Sequence, residues 1–299
     1  MKILKKLDDL LSQYNAKYRI ISTDHLRELH NEIESLNRRG KINPDIYTSY
    51  LTPFQYTPPE SDSSAQSVIM IAMPQNISIV LFKQDGKTFK AVIPPAYFSR
   101  KVRKTCIDIL SELFGSNIES KRAFLPLKLL TVRSGLGRYG RNLLCYVDSM
   151  GSFARLEAFY IPYQPDRDDW KQKEKLPQCE NCNKCIMNCP TQCIQKEEIM
   201  MDAGRCITHF NENRGAFPIE LHPKAHNAIV GCVRCQTVCP VNRPLLKEKT
   251  TVETFSEEET GLILDNKPDA SKALTEKLTH LDLDEYKAVL SRNLKALIK

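Results

Sequence analysis

The chain has no run of about eighteen apolar residues, so no part of it is long and apolar enough to cross a bilayer as a helix. Its basic start, Met1 to Leu7, passes straight into Asp8 and Asp9 with no apolar stretch behind it. That argues against a secretory signal and leads us to expect a cytoplasmic protein without membrane contact. A protein of 299 residues can bury a full core, so a disulfide scaffold is not needed to account for its cysteines. Histidine is scarce and offers no mononuclear metal site. His222 and His226 are four apart, but Pro223 interrupts the helix that a zinc pair would need. His25, His30 and His280 have no partner at a useful spacing, and only His209 falls close to a cysteine block, where it could tune a nearby centre or carry a proton.

What the sequence has in excess is cysteine. Of eleven, eight fall in two blocks: Cys179-x2-Cys182-x2-Cys185-x3-Cys189-Pro190, and Cys206 followed at a distance by Cys232-x2-Cys235-x3-Cys239-Pro240. A thiolate every third residue lets a compact loop hold three corners of a cubane, while the cysteine before proline serves the neighbouring cluster. The spacing therefore predicts one [4Fe–4S] cluster on Cys179, Cys182, Cys185 and Cys239, and a second on Cys206, Cys232, Cys235 and Cys189. A lone C-x2-C could be a zinc site or a redox dithiol, and one cluster plus zinc is the lesser alternative here. Cys106 and Cys145 lie in apolar surroundings and read as core thiols. Cys193 reads as a packing residue beside the first block, with a spare ligand as the other reading. Two clusters in series form an electron path, and oxygen-sensitive clusters with free thiols favour a reducing compartment.

The net charge of +7 is unevenly spread. Between Phe98 and Arg141 ten Lys/Arg stand against three acids, whereas from Thr251 onward ten acids stand against seven bases. The basic stretch is placed to meet a nucleotide-like cofactor, an anionic substrate or RNA, or is simply a solvated face.

Periodicity predicts helices over 2–14 and 23–39, an irregular Pro- and Tyr-bearing segment over 41–64, and strands over 67–73, 77–83 and 88–93 with an Asp85-Gly86 hairpin turn. A helix follows over 99–114, then strands over 143–147 and 156–161. The tail is expected to be helical, with capping signals at Ser256-x-x-Glu259, Ser271 and Asp282-x-x-Glu285. The expected segments are 1–60 (helical and irregular), 61–175 (an α/β domain), 176–245 (a double-cluster, ferredoxin-like domain) and 246–299 (helical), an α+β fold overall.

Arg133-Ser134-Gly135-Leu136-Gly137-Arg138-Tyr139-Gly140-Arg141-Asn142 is the other informative stretch. Three glycines in six residues allow close backbone approach, and the arginines offer donors to anionic or amide groups. As a dinucleotide fingerprint it lacks a clean preceding strand and a suitably placed acid. It reads instead as a wall against a large planar or amide-rich cofactor, or as a tight turn. The cofactor-facing candidates are Ser134, Gly135, Leu136, Gly137, Arg138, Gly140, Arg141 and Asn142.

The glycine run, the two cysteine blocks and the closing Cys239-Pro240-Val241-Asn242 together resemble the epoxyqueuosine reductase family of cobalamin-dependent iron–sulfur proteins, which is also similar to the core of reductive dehalogenases. The resemblance covers roughly residues 67–244. It implies a nitroreductase-like α/β domain that binds cobalamin, followed by a bacterial 2[4Fe–4S] ferredoxin-like domain and short C-terminal helices. It further implies low-potential electrons passed through the clusters to cobalt, an upstream donor such as ferredoxin or flavodoxin, and reduction of an epoxide on a modified tRNA base.

The family's general acid, an aspartate shortly before the glycine run, has no counterpart in Glu119–Lys128, and the tryptophan and lysine usual in the run are Arg138 and Arg141. The C-terminal region that helps the family grip tRNA is reduced to about fifty residues. Epoxide opening needs a proton, so the missing acid is a chemical objection. The first expectation is accordingly a cobalamin-dependent iron–sulfur reductase of an unidentified substrate, with Tyr139, Tyr97, Asp148 and Lys128 as candidate proton donors or substrate clamps. The second is an electron-transfer partner of a corrinoid protein, docking by charge. The third is a tRNA epoxyqueuosine reductase with an altered acid, tRNA ranking below the other partners. A flavin enzyme comes last.

Overall fold

A computed structural model describes residues 2–59, 64–196, 198, 200–247 and 250–298. The protein divides into two compact units, one made of Met1–Pro74, Ser99–Cys182 and Glu198–Met200, the other of Gln75–Phe98, Asn183–Glu197 and Met201–Lys299.

In the first unit β2 (Ser67–Pro74) is the central strand of three, antiparallel to β1 (Lys17–Ser22) on one side and to β7 (Ala154–Ile161) on the other. Its sequence, Ser-Val-Ile-Met-Ile-Ala-Met-Pro, does not alternate because both faces of the sheet are covered. Val68, Met70 and Ala72 pack with Leu26, Leu29 and Ile33 of α2 (Leu26–Arg38) and with Leu129 and Leu130 further along the sequence. Ile69, Ile71 and Met73 pack on the opposite face with Leu7 and Leu11 of α1 (Lys2–Ser12) and with Val102, Cys106, Ile109 and Leu110. The expected irregular segment contains α3 (Pro44–Ile46), whose N-cap Asn43 accepts from Asp45 N–H at 2.9 Å. The helix expected over 99–114 is α4 (Ser99–Phe114).

Immediately before the glycine run lies a helix, α5 (Leu127–Arg133), and the run itself forms β5 (Gly137–Tyr139), paired antiparallel with β6 (Cys145–Val147). The two strands expected over 143–161 are both present, but β6 joins this two-stranded ribbon while β7 joins the main sheet.

In the second unit β3 (Ser78–Gln84) and β4 (Lys87–Ile93) form a hairpin. Its turn residues have φ of 50° at Asp85 and 70° at Gly86, the left-handed pair that a two-residue turn requires. β8 (Thr250–Phe255) pairs parallel with β3 and stacks Phe255 on Phe82, ring centroids 4.7 Å apart. The tail is therefore not helical throughout: Thr-Thr-Val-Glu-Thr-Phe is rich in β-branched residues, and a long-range partner exists for it. Three helices, α9 (Glu257–Leu264), α10 (Lys272–His280) and α11 (Lys287–Leu297), follow β8, and Ile263, Leu274, Leu278, Leu290 and Leu294 enter the core of that unit. Ser256 and Glu259 form the expected capping box, and Ser271 caps Leu274 N–H at 3.3 Å. Asp282 lies just ahead of the turn Asp284–Tyr286, whose N-cap position is Leu283, and sits at a φ of 54°. Among the described residues no helix is long and apolar enough to cross a membrane.

Candidate functional site

The two cysteine runs fold alike. α6 (Lys184–Met187) follows Asn183 at φ −114°, ψ 12°, and α8 (Arg234–Thr237) follows Val233 at φ −117°, ψ 0°. Cys189 N–H donates to Ile186 O at 3.1 Å, and Cys239 N–H donates to Gln236 O at 3.3 Å. Beyond each proline the turn closes in the same way, Gln192 onto Cys189 O and Asn242 onto Cys239 O, both at 3.1 Å. α6 and α8 also pack against each other within the second unit. A duplicated backbone that carries cysteines at equivalent places suits a pair of clusters that exchange their Cys-Pro ligands.

Cys189, Cys206, Cys232 and Cys235, the set predicted for the second cluster, all belong to the second unit, Cys206 as the N-cap of α7 (Ile207–Glu212). The buried Cys193 Sγ lies 3.5 Å from Cys189 Sγ. Its hydrogen bond pulls the Cys189 thiol down to about 5, with help from Thr191. A hydrogen bond from Cys193 also holds Cys206 down at about 7 against the effect of burial. Cys193 itself is driven strongly upward by these same bonds and stays a thiol. Burial pushes Cys232 up to about 11, although Asn227 Nδ2 donates to its sulfur at 3.2 Å. Low-pKa thiols are ready cluster ligands, since the thiolate is what binds iron. Among the described residues no three His, Cys, Asp or Glu side chains converge as on a single metal ion. A cubane has a different requirement, because its ligands bind separate corners. His209 Nδ1 lies 3.2 Å from Asn213 Nδ2, and His222 Nδ1 accepts from Lys224 N–H at 3.1 Å.

Cys179 and Cys182 belong to the first unit, and there the glycine run touches them. Arg141 N–H donates to Cys179 Sγ at 3.4 Å, and the Arg141 guanidinium donates to Cys179 O at 2.8 Å and to Glu180 O at 3.2 Å. The other arginines of the run are also engaged. Arg133 pairs with Glu32 at 2.7 Å and lies over the Trp170 ring, while Arg138 pairs with Glu174 at 2.7 Å and Asp148 at 3.5 Å. Residues 171–176 run alongside: Lys171 N–H donates to Arg133 O, Tyr139 N–H to Glu174 O, and Leu176 N–H to Tyr139 O.

The glycines are equally occupied. A Cβ on Gly137 would meet Tyr146 O at 2.8 Å, one on Gly140 would meet Asn142 Oδ1 at 2.8 Å and the Tyr146 ring, and one on Gly135 would meet Lys171 Cδ at 2.7 Å. Ser134, Leu136 and Asn142 are buried, with Ser134 Oγ donating to Thr131 O and Asn142 Nδ2 to Tyr146 Oη, both at 3.1 Å. Arg133, Arg138 and the faces of Gly137 and Gly140, which were expected to meet a ligand, are thus met by neighbours within the first unit.

The candidate proton donors are divided between the units. Tyr139, Asp148 and Lys128 lie in the first, Tyr97 in the second. Burial holds the Tyr139 phenol well above its usual range. Burial and Glu212, which accepts its hydrogen bond, do the same to Tyr97. Asp148 is largely exposed and paired with Arg138, and Lys128 O accepts from Cys145 Sγ at 3.0 Å. Neither Asn227, which no spacing rule singles out, nor segment 168–176 is marked by the sequence as part of this surrounding.

Residues 178–242 match the family described as a 4Fe-4S double cluster binding domain. The epoxyqueuosine reductase of Francisella cf. novicida is 34% identical over 130 residues, 40% of this chain and 33% of that protein. That of Bacillus subtilis is 32% identical over 149 residues, 46% and 36% respectively. The Escherichia coli enzyme is 36% identical over 128 residues, 42% and 32%. The matched stretches thus span about a third of these relatives' length. The structure of epoxyqueuosine reductase from Streptococcus thermophilus shares the fold over 100% of this chain and 81% of its own, with a TM-score of 0.67 at 17% identity. An epoxyqueuosine reductase crystallised with an epoxyqueuosine-modified tRNA-Tyr stem loop does so over 99% and 80%, with a TM-score of 0.66 at 20% identity. What this chain shares with epoxyqueuosine reductases is thus a similar sequence over part of its length and the fold, and its residues 178–242 match a 4Fe-4S double cluster binding domain.

Proposed function

We propose that this protein is an iron–sulfur reductase that takes low-potential electrons from a carrier such as ferredoxin or flavodoxin and removes the oxygen of an epoxide on a tRNA base. The observation that carries the reading is the pair of Cys-Pro runs with matching backbone, in a protein whose fold follows that of epoxyqueuosine reductases from end to end. In this reading the first unit is the nitroreductase-like half, and the ligand sets are those the spacing predicts. Conversion of an epoxide to an alkene consumes two electrons and two protons and releases water. Clusters held by the two cysteine sets would supply the electrons one at a time.

The protons must come from groups other than the missing aspartate. Tyr139 is the first candidate, because it stays protonated throughout the physiological range and is a suitable donor to an alkoxide. The proton of Tyr97 is committed to Glu212, and Asp148 is committed to Arg138. Cobalamin, which the resemblance implies, would supply a strongly reducing, nucleophilic cobalt. The glycine run as folded does not fit the role of its cradle, since Arg133 and Arg138 are paired with acids and the faces of Gly137 and Gly140 are closed by a carbonyl oxygen and a packed ring, so we assign no step through it.

The test is anaerobic reconstitution with iron, sulfide and cobalamin, then incubation with tRNA carrying epoxyqueuosine and a reduced carrier. We expect conversion to queuosine. No conversion by protein loaded with both clusters and corrinoid would remove the tRNA epoxide as substrate. Loading with iron but no corrinoid would favour the second reading, an electron donor to a separate corrinoid protein, which the internally satisfied arginines of the run also favour.

A further inference from the structure

Asn227 stands five residues ahead of Cys232 and has no part in the ligand arithmetic. Its amide is fixed at both ends. Oδ1 accepts from Val233 N–H at 2.8 Å, and Nδ2 donates to Ala225 O at 2.9 Å and to Cys232 Sγ at 3.2 Å. A backbone N–H cannot accept and a backbone carbonyl cannot donate, so the amide has only one workable orientation, with an N–H on the sulfur. A second donor reaches the same ligand set from the other side. Cys193 is 2% exposed, lies 3.5 Å from Cys189 Sγ and hydrogen-bonds Cys206. The Asp202 N–H bond to Cys193 O at 2.8 Å and the bridge between Ile194 and Met201 hold Cys193 against the residues that lead into Cys206.

We propose that Asn227 and Cys193 set the reduction potential of the second cluster. Reduction by one electron places a further negative charge on the iron, sulfide and thiolate assembly, and no covalent bond forms or breaks. A hydrogen bond to a ligand sulfur becomes stronger as that charge grows, so a donor held there stabilises the reduced state and raises the potential. Asn227 acts on Cys232, and the Cys193 thiol, with one proton to donate, acts on Cys189 or Cys206. The proposal rests on the ligand set predicted for the second cluster.

Potentiometric titration followed by electron paramagnetic resonance, on reconstituted full-length protein reduced with dithionite, reads the effect without any substrate turnover. Asn227→Asp keeps the oxygen that accepts from Val233 and removes the donor to sulfur, and Cys193→Ala removes the second donor. In each variant the reduced-to-oxidised ratio of one cluster, at a fixed potential, should fall about tenfold, which is ~59 mV for a one-electron couple. Cys193→Ser, which keeps a hydroxyl donor, should stay near wild type. Iron-replete variants with unmoved potentials overturn the proposal. So does loss of iron in Asn227→Asp combined with an unmoved potential in Cys193→Ala. A wild-type protein unable to hold two clusters would instead overturn the ligand map on which the proposal stands.

Discussion

Whether the glycines of the run make room for a ligand or for the protein itself is decided by adding a methyl group at Gly140. In the first unit a Cβ there would press on the edge of the Tyr146 ring and lie 2.8 Å from Asn142 Oδ1. Tyr146 is 4% exposed, and its hydroxyl accepts the Asn142 amide at 3.1 Å, so the ring cannot move aside without losing that bond. Overpacking of a rigid core costs about 1–3 kcal/mol, and a lost side-chain hydrogen bond adds about 1 kcal/mol. Gly140→Ala should therefore destabilise the first unit by about 2–4 kcal/mol. Trp170 is the protein's one tryptophan and belongs to that unit, so its fluorescence in urea reports the loss directly. Tyr146→Leu removes the obstructing ring edge. The double variant should be less destabilised than the sum of the singles by about 1 kcal/mol or more, the signature of a direct contact. Additive single effects, or a Gly140→Ala variant as stable as wild type but inactive, would refute the packing account and return this glycine to a ligand-facing role.

Cys182→Ser and Cys235→Ser should each cost one cluster, leaving about half the wild-type iron in a colorimetric assay of reconstituted protein; unchanged iron in both would void the ligand map. Burial pushes the Cys106 and Cys145 thiols up to about 12, so neither should be alkylated by iodoacetamide in native protein at pH 8, as read by peptide mass spectrometry; modification without denaturant would mean that they are not core thiols. Glu157 is fully buried on β7 and holds Arg155 at 2.9 Å, Arg122 at 3.1 Å and Arg103 at 3.6 Å. Because those arginines are partly hydrated, Glu157→Gln should cost about 1–3 kcal/mol rather than the full penalty of a stranded buried charge, again by Trp170 fluorescence in urea.

The elements set by local chemistry were legible. Asp85-Gly86 demands a tight hairpin, Ser256 and Glu259 demand a helix start, and the apolar run of β2 demands a strand covered on both faces. What could not be read was pairing at a distance. β8 lies more than 160 residues from β3, and it is the parallel pairing there, with Phe255 stacked on Phe82, that makes a strand of Thr250–Phe255 at the head of a helical tail. β1 was missed because Lys17, Tyr18 and Arg19 break the apolar pattern at an edge of the sheet, where one side is wet. The double-cluster signal was local enough to read, and the equal cysteine spacing folds into equal backbone. The donors to the sulfurs were not, because Asn227 and Cys193 take their meaning from where the turns return.

The glycine run shows why the remainder stayed hidden. Glycine density signals close approach but does not name what approaches, and at Gly137 and Gly140 the neighbours are a carbonyl oxygen and a packed ring that cannot yield cheaply. Gly135 is different. It has a φ of +67°, which favours glycine for backbone reasons alone, and the atoms over it are Cδ, Cε and Nζ of Lys171, the far end of a flexible side chain. This is the one face of the run that a ligand can take without rebuilding the first unit, at the cost of moving a single lysine. Lys171→Ala removes that obstacle while leaving the Lys171 N–H bond to Arg133 O in place. If a corrinoid lies against the run, this variant should retain at least as much cobalamin as wild type after reconstitution and gel filtration, and bind it more tightly in a spectrophotometric titration. Bulk at position 135, introduced as Gly135→Val, should abolish that retention. Cobalamin binding indifferent to both changes would place the corrinoid, if the protein takes one, away from the glycines altogether.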